Sequence, residues 1–378
     1  MTDSPRRILA IQTAYLGDCV LTLPLLREAK ALYPQSRLSV LALPRTAALF
    51  QEFPAVDDVL ADDKRGADSG ILGALRLAGR LKSRGFDLAI IPHRSLRSAL
   101  LALLAGIPRR VGFASSAGWF LMTHRAPFDW ATHDLDRNLS LLKALDPSLS
   151  PSKNVWRGVA ASDQARASIA ARWGSLRLAP GAPVVGLHAG SAWGTKRWPE
   201  DRWAELCRLL KSQGFEPLLT GGPDDATLSS RVAAASGAAS LAGMTGLGEL
   251  KALMEKLSLF VTNDSGPMHV ACAMGVPALA IFGPTTRGLG FFPYGARNEV
   301  AEVELGCRPC PGSLHGPMTC PHGHFLCMKL ITVDEVFSRA MRMLSGREKA
   351  NGKRKEASRG LLTIFLALFP FSFSLFPL

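Results

Sequence analysis

The chain has 378 residues, 47% of them hydrophobic and 20% charged, with a formal net charge of +13. That length allows two domains with separate cores, and that balance excludes a disordered or fibrous chain. Seven cysteines do not make an extracellular disulfide scaffold, and with 7% aromatic residues and no recognisable nucleic-acid module the positive charge points to acidic small molecules or anionic lipid.

The first apolar run, Ile8–Ile11 after Arg6 and Arg7, is too short for a secretory signal and reads as a strand, so a cytoplasmic chain is expected. Short apolar or β-branched runs then alternate with longer amphipathic stretches, the pattern of βα units around a parallel sheet. Predicted strands in the first half cover 7–12, 37–43, 87–92 and 109–112, with predicted helices over 20–32, 71–84 and 96–104. Pro24 falls inside the first helix and is expected to kink it. The pattern loosens from Ser115 to Asp136, and the Pro- and Ser-rich stretch Asp146–Arg157 reads as a linker. A second series follows: strand 184–188, helix 201–213, strand 216–220, helices 225–236 and 247–256, strand 259–262, helix 268–274, strand 277–282 and a last helix over 333–344. The expected fold is α/β: two doubly wound Rossmann-like domains, 1–155 and 156–345, facing across a cleft, then a tail over 346–378. Open α/β sheets bind ligands at their C-terminal strand ends, so two of them face to face hold two substrates.

Three loops at such strand ends carry chemistry. In Thr13–Asp18, Gly17 permits close backbone approach, and Asp18 reads either as a helix cap or as a carboxylate that accepts a proton from an attacking hydroxyl. In His188–Pro199, backbone donors, Ser191, Thr195 and the cation of Lys196 suit a pyrophosphate, although a solvated turn has the same composition. In Asn263–His269, a helix N-terminus offers free amides to a phosphate at Ser265 and Gly266. There Asp264 caps the helix or meets a sugar hydroxyl, and His269 faces the cleft or packs in the core. Gly221–Asp225 reads as a glycine turn with a helix cap at Asp224, or as a turn from which Asp225 reaches a ribose hydroxyl.

Cys307, Cys310, Cys320 and Cys327 are spaced C-x2-C-x9-C-x6-C, which reads as a structural zinc site or as four reduced thiols. The segment lacks the acidic ligands that suit magnesium, so no catalytic metal is expected. Six basic residues between Arg347 and Arg359 precede an uncharged apolar run, Leu361–Leu378, which reads as a membrane anchor or as an unpacked extension.

Together, Gly17-Asp18, Lys196-Arg197-Trp198-Pro199 and the Asn263-Asp264-Ser265-Gly266-x-Met-His269 box resemble the ADP-heptose:lipopolysaccharide heptosyltransferases, glycosyltransferase family 9. His93–Ala99 with Ala105–Pro108, and the Cys307–Cys327 segment, resemble the second heptosyltransferase of the inner core more than the first. The likeness spans about residues 6–344, with Ser191 where an acidic residue is usual and Pro267 where leucine is commoner. It implies a GT-B fold with the acceptor in the N-terminal half and the donor in the C-terminal half. It implies an inverting reaction without a metal or other catalytic cofactor, in which Asp18 is the general base and Lys196 meets leaving-group charge. The implied donor is ADP-heptose, held by Ser191, Thr195, Lys196, Asp225, Asp264, Ser265, Gly266 and His269. The implied acceptor is the lipopolysaccharide inner core of Kdo-lipid A type, met by Gly17, Arg94 and Arg97 at the cytoplasmic face of the inner membrane. The rival readings are a nucleotide-sugar epimerase of related fold and a non-enzymatic, membrane-tethered interaction protein.

Overall fold

The computed structural model describes residues 4–149, 156, 158–310 and 317–346. The expected anchor at 361–378 and most of the expected linker lie outside them.

The first sheet contains β1 (Arg7–Gln12), β2 (Arg37–Ala42), β3 (Asp58–Ala61), β4 (Leu88–Ile91), β5 (Arg109–Phe113) and β6 (His124–Ala126). Its spatial order is β3-β2-β1-β4-β5-β6, and every pairing is parallel. The second contains β7 (Val184–His188), β8 (Glu216–Leu219), β9 (Ala239–Ser240), β10 (Leu257–Asn263), β11 (Ala278–Phe282) and β12 (Glu299–Glu302). Its order, β12-β11-β10-β7-β8-β9, is the same arrangement, also all parallel. The central strands are buried on both faces, which is why they read as unbroken apolar runs such as Ile8–Ile11. In each sheet the order reverses beside one strand, between β1 and β4 and between β7 and β10. Crevices open at such reversals, because the two following chains leave toward opposite faces.

The crossover helices are α1 (Leu16–Leu32), α2 (Ala47–Gln51), α3 (Gly70–Lys82), α4 (Leu96–Leu104) and α5 (Asp134–Lys143) in the first half. In the second they are α6 (Asp163–Trp173), α7 (Glu200–Ser212), α8 (Ala226–Ser236), α9 (Leu247–Met254), α10 (Gly266–Ala273) and α11 (Leu326–Lys329), followed by a helix over 333–346. Helix α1 continues through Pro24 to Leu32.

The halves are joined by packing. Helix α1 packs on α10, α2 on α9, and one apolar cluster includes Ile8, Val20 and Leu25 together with Val184, Phe260 and Val270. Helix α5 adds polar ties to the second half. The amide of Asp134 donates to Gly290 O (2.8 Å), His133 Nε2 meets Phe292 O (2.8 Å), and Arg137 Nη2 donates to Leu289 O (2.9 Å).

Candidate active site

Two cavities of about 510 and 720 Å³ open at the two sheet reversals, and Tyr15, Asp18, Arg45 and Phe291 line both. Asp18 thus stands where they meet. The loop Thr13–Tyr15 follows β1, and Asp18 falls in the first turn of α1, where its Oδ2 accepts the Tyr15 amide proton at 3.2 Å. The capping role and the cavity-facing role therefore coincide in one side chain. Burial and the neighbouring Asp134 carboxylate raise its pKa to about 7, against the opposing pull of backbone donors and Lys196.

The smaller cavity belongs to the first half. Arg94 lines it with its guanidinium 4.0 Å from the Phe128 ring centroid, and Lys64, Arg65 and Arg45 add positive charge. A phosphorylated or carboxylated substrate suits that wall. Lys64 Nζ donates to Thr13 O at 2.8 Å. Arg97, expected beside Arg94, is engaged elsewhere. It grips Asp62 with Nε (3.1 Å) and Nη2 (2.7 Å), and Nη2 also donates to Asp68 O. It braces the 62–68 loop and is not on the cavity wall, because the buried Asp62 carboxylate requires a bidentate partner.

The larger cavity is lined by Ser191, Lys196, Asp225, Asp264, Ser265, Gly266 and His269, with Gly17 from the first half. Lys196 Nζ lies 2.6 Å from Asp264 Oδ2, and Thr285 Oγ1 donates to the same oxygen at 2.6 Å. Burial works against the charge of Asp264, but Lys196 and Thr285 hold its pKa below the ordinary carboxylate value. Asp264 thus holds Lys196, and Ser265 occupies the N-cap position of α10. Asp225 Oδ2 accepts the Gly222 amide proton at 3.0 Å and presses on Gly190, where a Cβ would meet its carboxylate. Thr195 departs from expectation: its hydroxyl donates to Pro317 O, and it does not line the cavity. His269 is buried with Nδ1 unpartnered among the described residues, and burial lowers its pKa to about 3, so it is neutral at working pH.

The Cys307–Cys327 segment reads in sequence as a structural zinc site or as four reduced thiols. Cys307, Cys310, Cys320 and Cys327 are free thiols, and no three His, Cys, Asp or Glu among the described residues are arranged to hold a metal ion. Cys327 packs into the apolar core beside Met328 and Ile331, while the other three remain partly exposed.

Several site residues were not anticipated. Arg45, Lys64, Arg65 and Thr285 follow β2, β3 and β11, and Asp134 opens α5. Two acids at the start of α5, Asp134 and Asp136, were the one local sign of a helix N-terminus there.

Two parallel Rossmann-like sheets, each with its ligand loops at the strand reversal and a shared cleft, define the GT-B architecture of nucleotide-sugar glycosyltransferases. The glycosyl transferase family 9 protein of Veillonella parvula shares it, with a TM-score of 0.78 at 24% identity, covering 90% of this chain and 98% of that one. ADP-heptose lipopolysaccharide heptosyltransferase II of E. coli gives a TM-score of 0.72 at 24% identity, covering 90% and 99%. Lipopolysaccharide heptosyltransferase 2 of Salmonella typhimurium is 27% identical over 293 residues, covering 74% of this chain and 83% of that protein. Residues 74–315 match glycosyltransferase family 9 (heptosyltransferase), and the chain belongs to that family. It is a glycosyltransferase.

Proposed function

We propose that this protein moves L-glycero-D-manno-heptose from ADP-heptose to the heptosyl-Kdo-lipid A inner core of lipopolysaccharide, by an inverting single displacement at the cytoplasmic face of the inner membrane. The observation that carries the reading is the position of Asp18, half-buried at the junction of a basic cavity and a cavity with a phosphate-type floor. The acceptor, whose phosphates or carboxylates meet Arg94 and Lys64, presents a heptose hydroxyl to Asp18. Asp18 takes the hydroxyl proton as the oxygen attacks the anomeric carbon from the face opposite the diphosphate, and the bond to ADP breaks. Negative charge then grows on the leaving phosphate. Lys196 and the positive dipole end of α10 at Ser265 and Gly266 meet it, and together they supply the stabilisation without a metal ion. The residues assigned to the donor are Ser191, Lys196, Asp225, Asp264, Ser265, Gly266 and His269; Gly17, expected on the acceptor side, lines the same larger cavity, and Arg94 lies on the smaller, acceptor one.

The test is ADP release in a coupled assay with ADP-heptose and a heptosyl-Kdo-lipid A acceptor. Asp18→Asn is expected to lower kcat by roughly a thousandfold while ADP binding is retained. Near-normal turnover in that variant overturns the base assignment, and turnover only with UDP- or GDP-sugars overturns the donor.

A further inference from the structure

The first half carries an apolar face that none of the described residues covers. Helix α4 buries Ser98, Ala99, Leu101 and Ala102 but turns Leu96, Leu100, Leu103 and Leu104 outward. Helix α3, packed beside it, exposes Ile71 (81%) and Leu72 (74%). On its other side the 116–122 loop abuts α4 so closely that a Cβ on Gly118 would meet that of Ala99, and this loop exposes Trp119 and Phe120. Three adjoining elements thus present leucine, isoleucine and aromatic side chains to solvent. An ordinary surface helix is polar on that side, and a contiguous apolar patch marks an interaction site.

The charge around it selects the partner. Residues 70–128 contain nine Lys and Arg and one acid, Asp87, whose Oδ2 is taken by the amides of Arg6 and Arg7. Arg76 and Lys82 lie exposed on α3, Arg80 beside them pairs with Asp68 at 2.7 Å, and the Arg125 guanidinium stacks 4.8 Å from the Trp119 ring centroid. An apolar face with tryptophan and phenylalanine, set in a field of cations, has the composition of a surface that lies in the interface of an anionic bilayer. A protein partner of matching shape would need an acidic rim, and a second copy of this chain would bring like charge against like.

The patch also adjoins the basic cavity. Helix α4 begins directly after His93 and Arg94 on the cavity wall, and α3 follows the Asp62–Arg65 segment of the same wall. A glycolipid whose sugar enters that cavity keeps its acyl chains in the membrane, so the surface beside the cavity mouth must meet the bilayer. We propose that the outward face of α3, α4 and residues 119–120 seats this protein on an anionic lipid bilayer and so brings its acceptor cavity to the lipid headgroups. This rests on the reading of the acceptor as a membrane-anchored glycolipid.

The test uses the full chain and vesicles of phosphatidylcholine alone or mixed with phosphatidylglycerol, read by co-sedimentation. The wild type is expected to bind the mixed vesicles and to be released by salt. The combined variant Ile71→Ser, Leu103→Ser, Phe120→Ser, which removes only exposed side chains, is expected to bind at least about tenfold more weakly. Its transfer to a lipid-free core oligosaccharide should match the wild type, while transfer to acceptor embedded in vesicles should fall with the binding. Undiminished vesicle binding by the variant overturns the proposal and assigns the membrane contact to another segment. So does a wild-type dimer in light scattering that the variant converts to monomer without any change in vesicle binding. Loss of transfer to the lipid-free acceptor in the wild type itself would instead count against the proposed reaction.

Discussion

At the scale of single residues, two carboxylates set the charge of the site, Asp18 half-buried and Asp134 buried. Asp18 has its pKa raised to about 7 by burial and by Asp134, and Asp134 is itself raised to about 6 by burial, with Arg137 and Arg94 pulling it down. As the proposed base, Asp18 would work only when ionised, so kcat is expected to fall as pH drops through about 7. Asp134→Asn removes the repulsion that favours the protonated form of Asp18, so the acid limb of the kcat profile should move to lower pH with the plateau above it retained. An unmoved or upward-moved limb would refute the coupling. The same charge burdens the fold. A carboxyl raised from 3.8 to about 7 costs stability progressively as pH rises from the unfolded value through the folded one, on the order of 4 kcal/mol once Asp18 is fully ionised. Asp18→Asn should therefore resist urea better than the wild type at pH 8, with the advantage gone near pH 4. Equal resistance at pH 8 would show that the charge is well solvated in the fold. The sequence could show Asp18, Lys196 and the 263–269 box because each sits on a strand-to-helix loop with its own local pattern. It could not show that Asp264 would be held by Thr285, or that Asp134 would reach the neighbourhood of Asp18, since those meetings depend on chain distant in sequence.

Among the elements, those visible in the sequence were the ones with a single unmixed environment. Strands β1, β4, β7 and β11 are buried on both sides and read as apolar runs, and α4 was placed at its observed bounds. The edge strands β3, β6, β9 and β12 are short and partly exposed, so neither alternation nor an apolar run marks them. Helix α5 was hidden for a different reason. Its buried side includes Asp134, Arg137 and Asn138, which break the apolar stripe a helix normally shows. The close contact of α1 with α10 was likewise invisible, although the glycines that permit it were not. A Cβ at Gly17 would lie 2.9 Å from His269 Cδ2, and one at Gly266 would lie 2.9 Å from Leu16 Cβ and 3.2 Å from Gly17 N. The N-terminus of α1, which carries Asp18, and that of α10 are thus held face to face by two missing side chains. Gly17→Ala should push them apart, lowering kcat roughly tenfold to a hundredfold at a stability cost of about 1–3 kcal/mol. Gly79→Ala in α3, where an added Cβ meets nothing, is the control and should be neutral or slightly stabilising. Equal behaviour of the two variants would show that the approach of α1 to α10 does not matter to the chemistry.

Across the whole molecule, catalysis requires that the two sheets stay closed on one cleft, and the closure is built asymmetrically. Apolar packing joins α1 to α10 and α2 to α9, but α5 reaches the 287–292 loop through polar groups centred on Arg137. Its guanidinium, nearly all buried, donates to Asp129 O, Trp130 O and Leu289 O and pairs with Asp134 Oδ1 at 3.4 Å. One cation thereby organises the turn before α5, the loop of the opposite half and the carboxylate that tunes Asp18. Arg137→Met keeps much of the volume but leaves the carbonyls of Asp129, Trp130 and Leu289 without this donor and Asp134 without its ion-pair partner. The expected loss is about 3 kcal/mol in urea unfolding. Because the apolar cluster spans both sheets, the wild type is expected to unfold in a single transition, and the variant should do so at lower urea or split into two. The kinetic signature separates this hinge role from simple destabilisation. Phe291, which lines both cavities, sits in the loop that Arg137 holds, so the variant assayed well below its midpoint should show higher KM for donor and acceptor alike. A variant that loses stability with both KM values unchanged would make Arg137 a packing residue of the first half alone, and closure would then rest on the apolar contacts of α1 and α2.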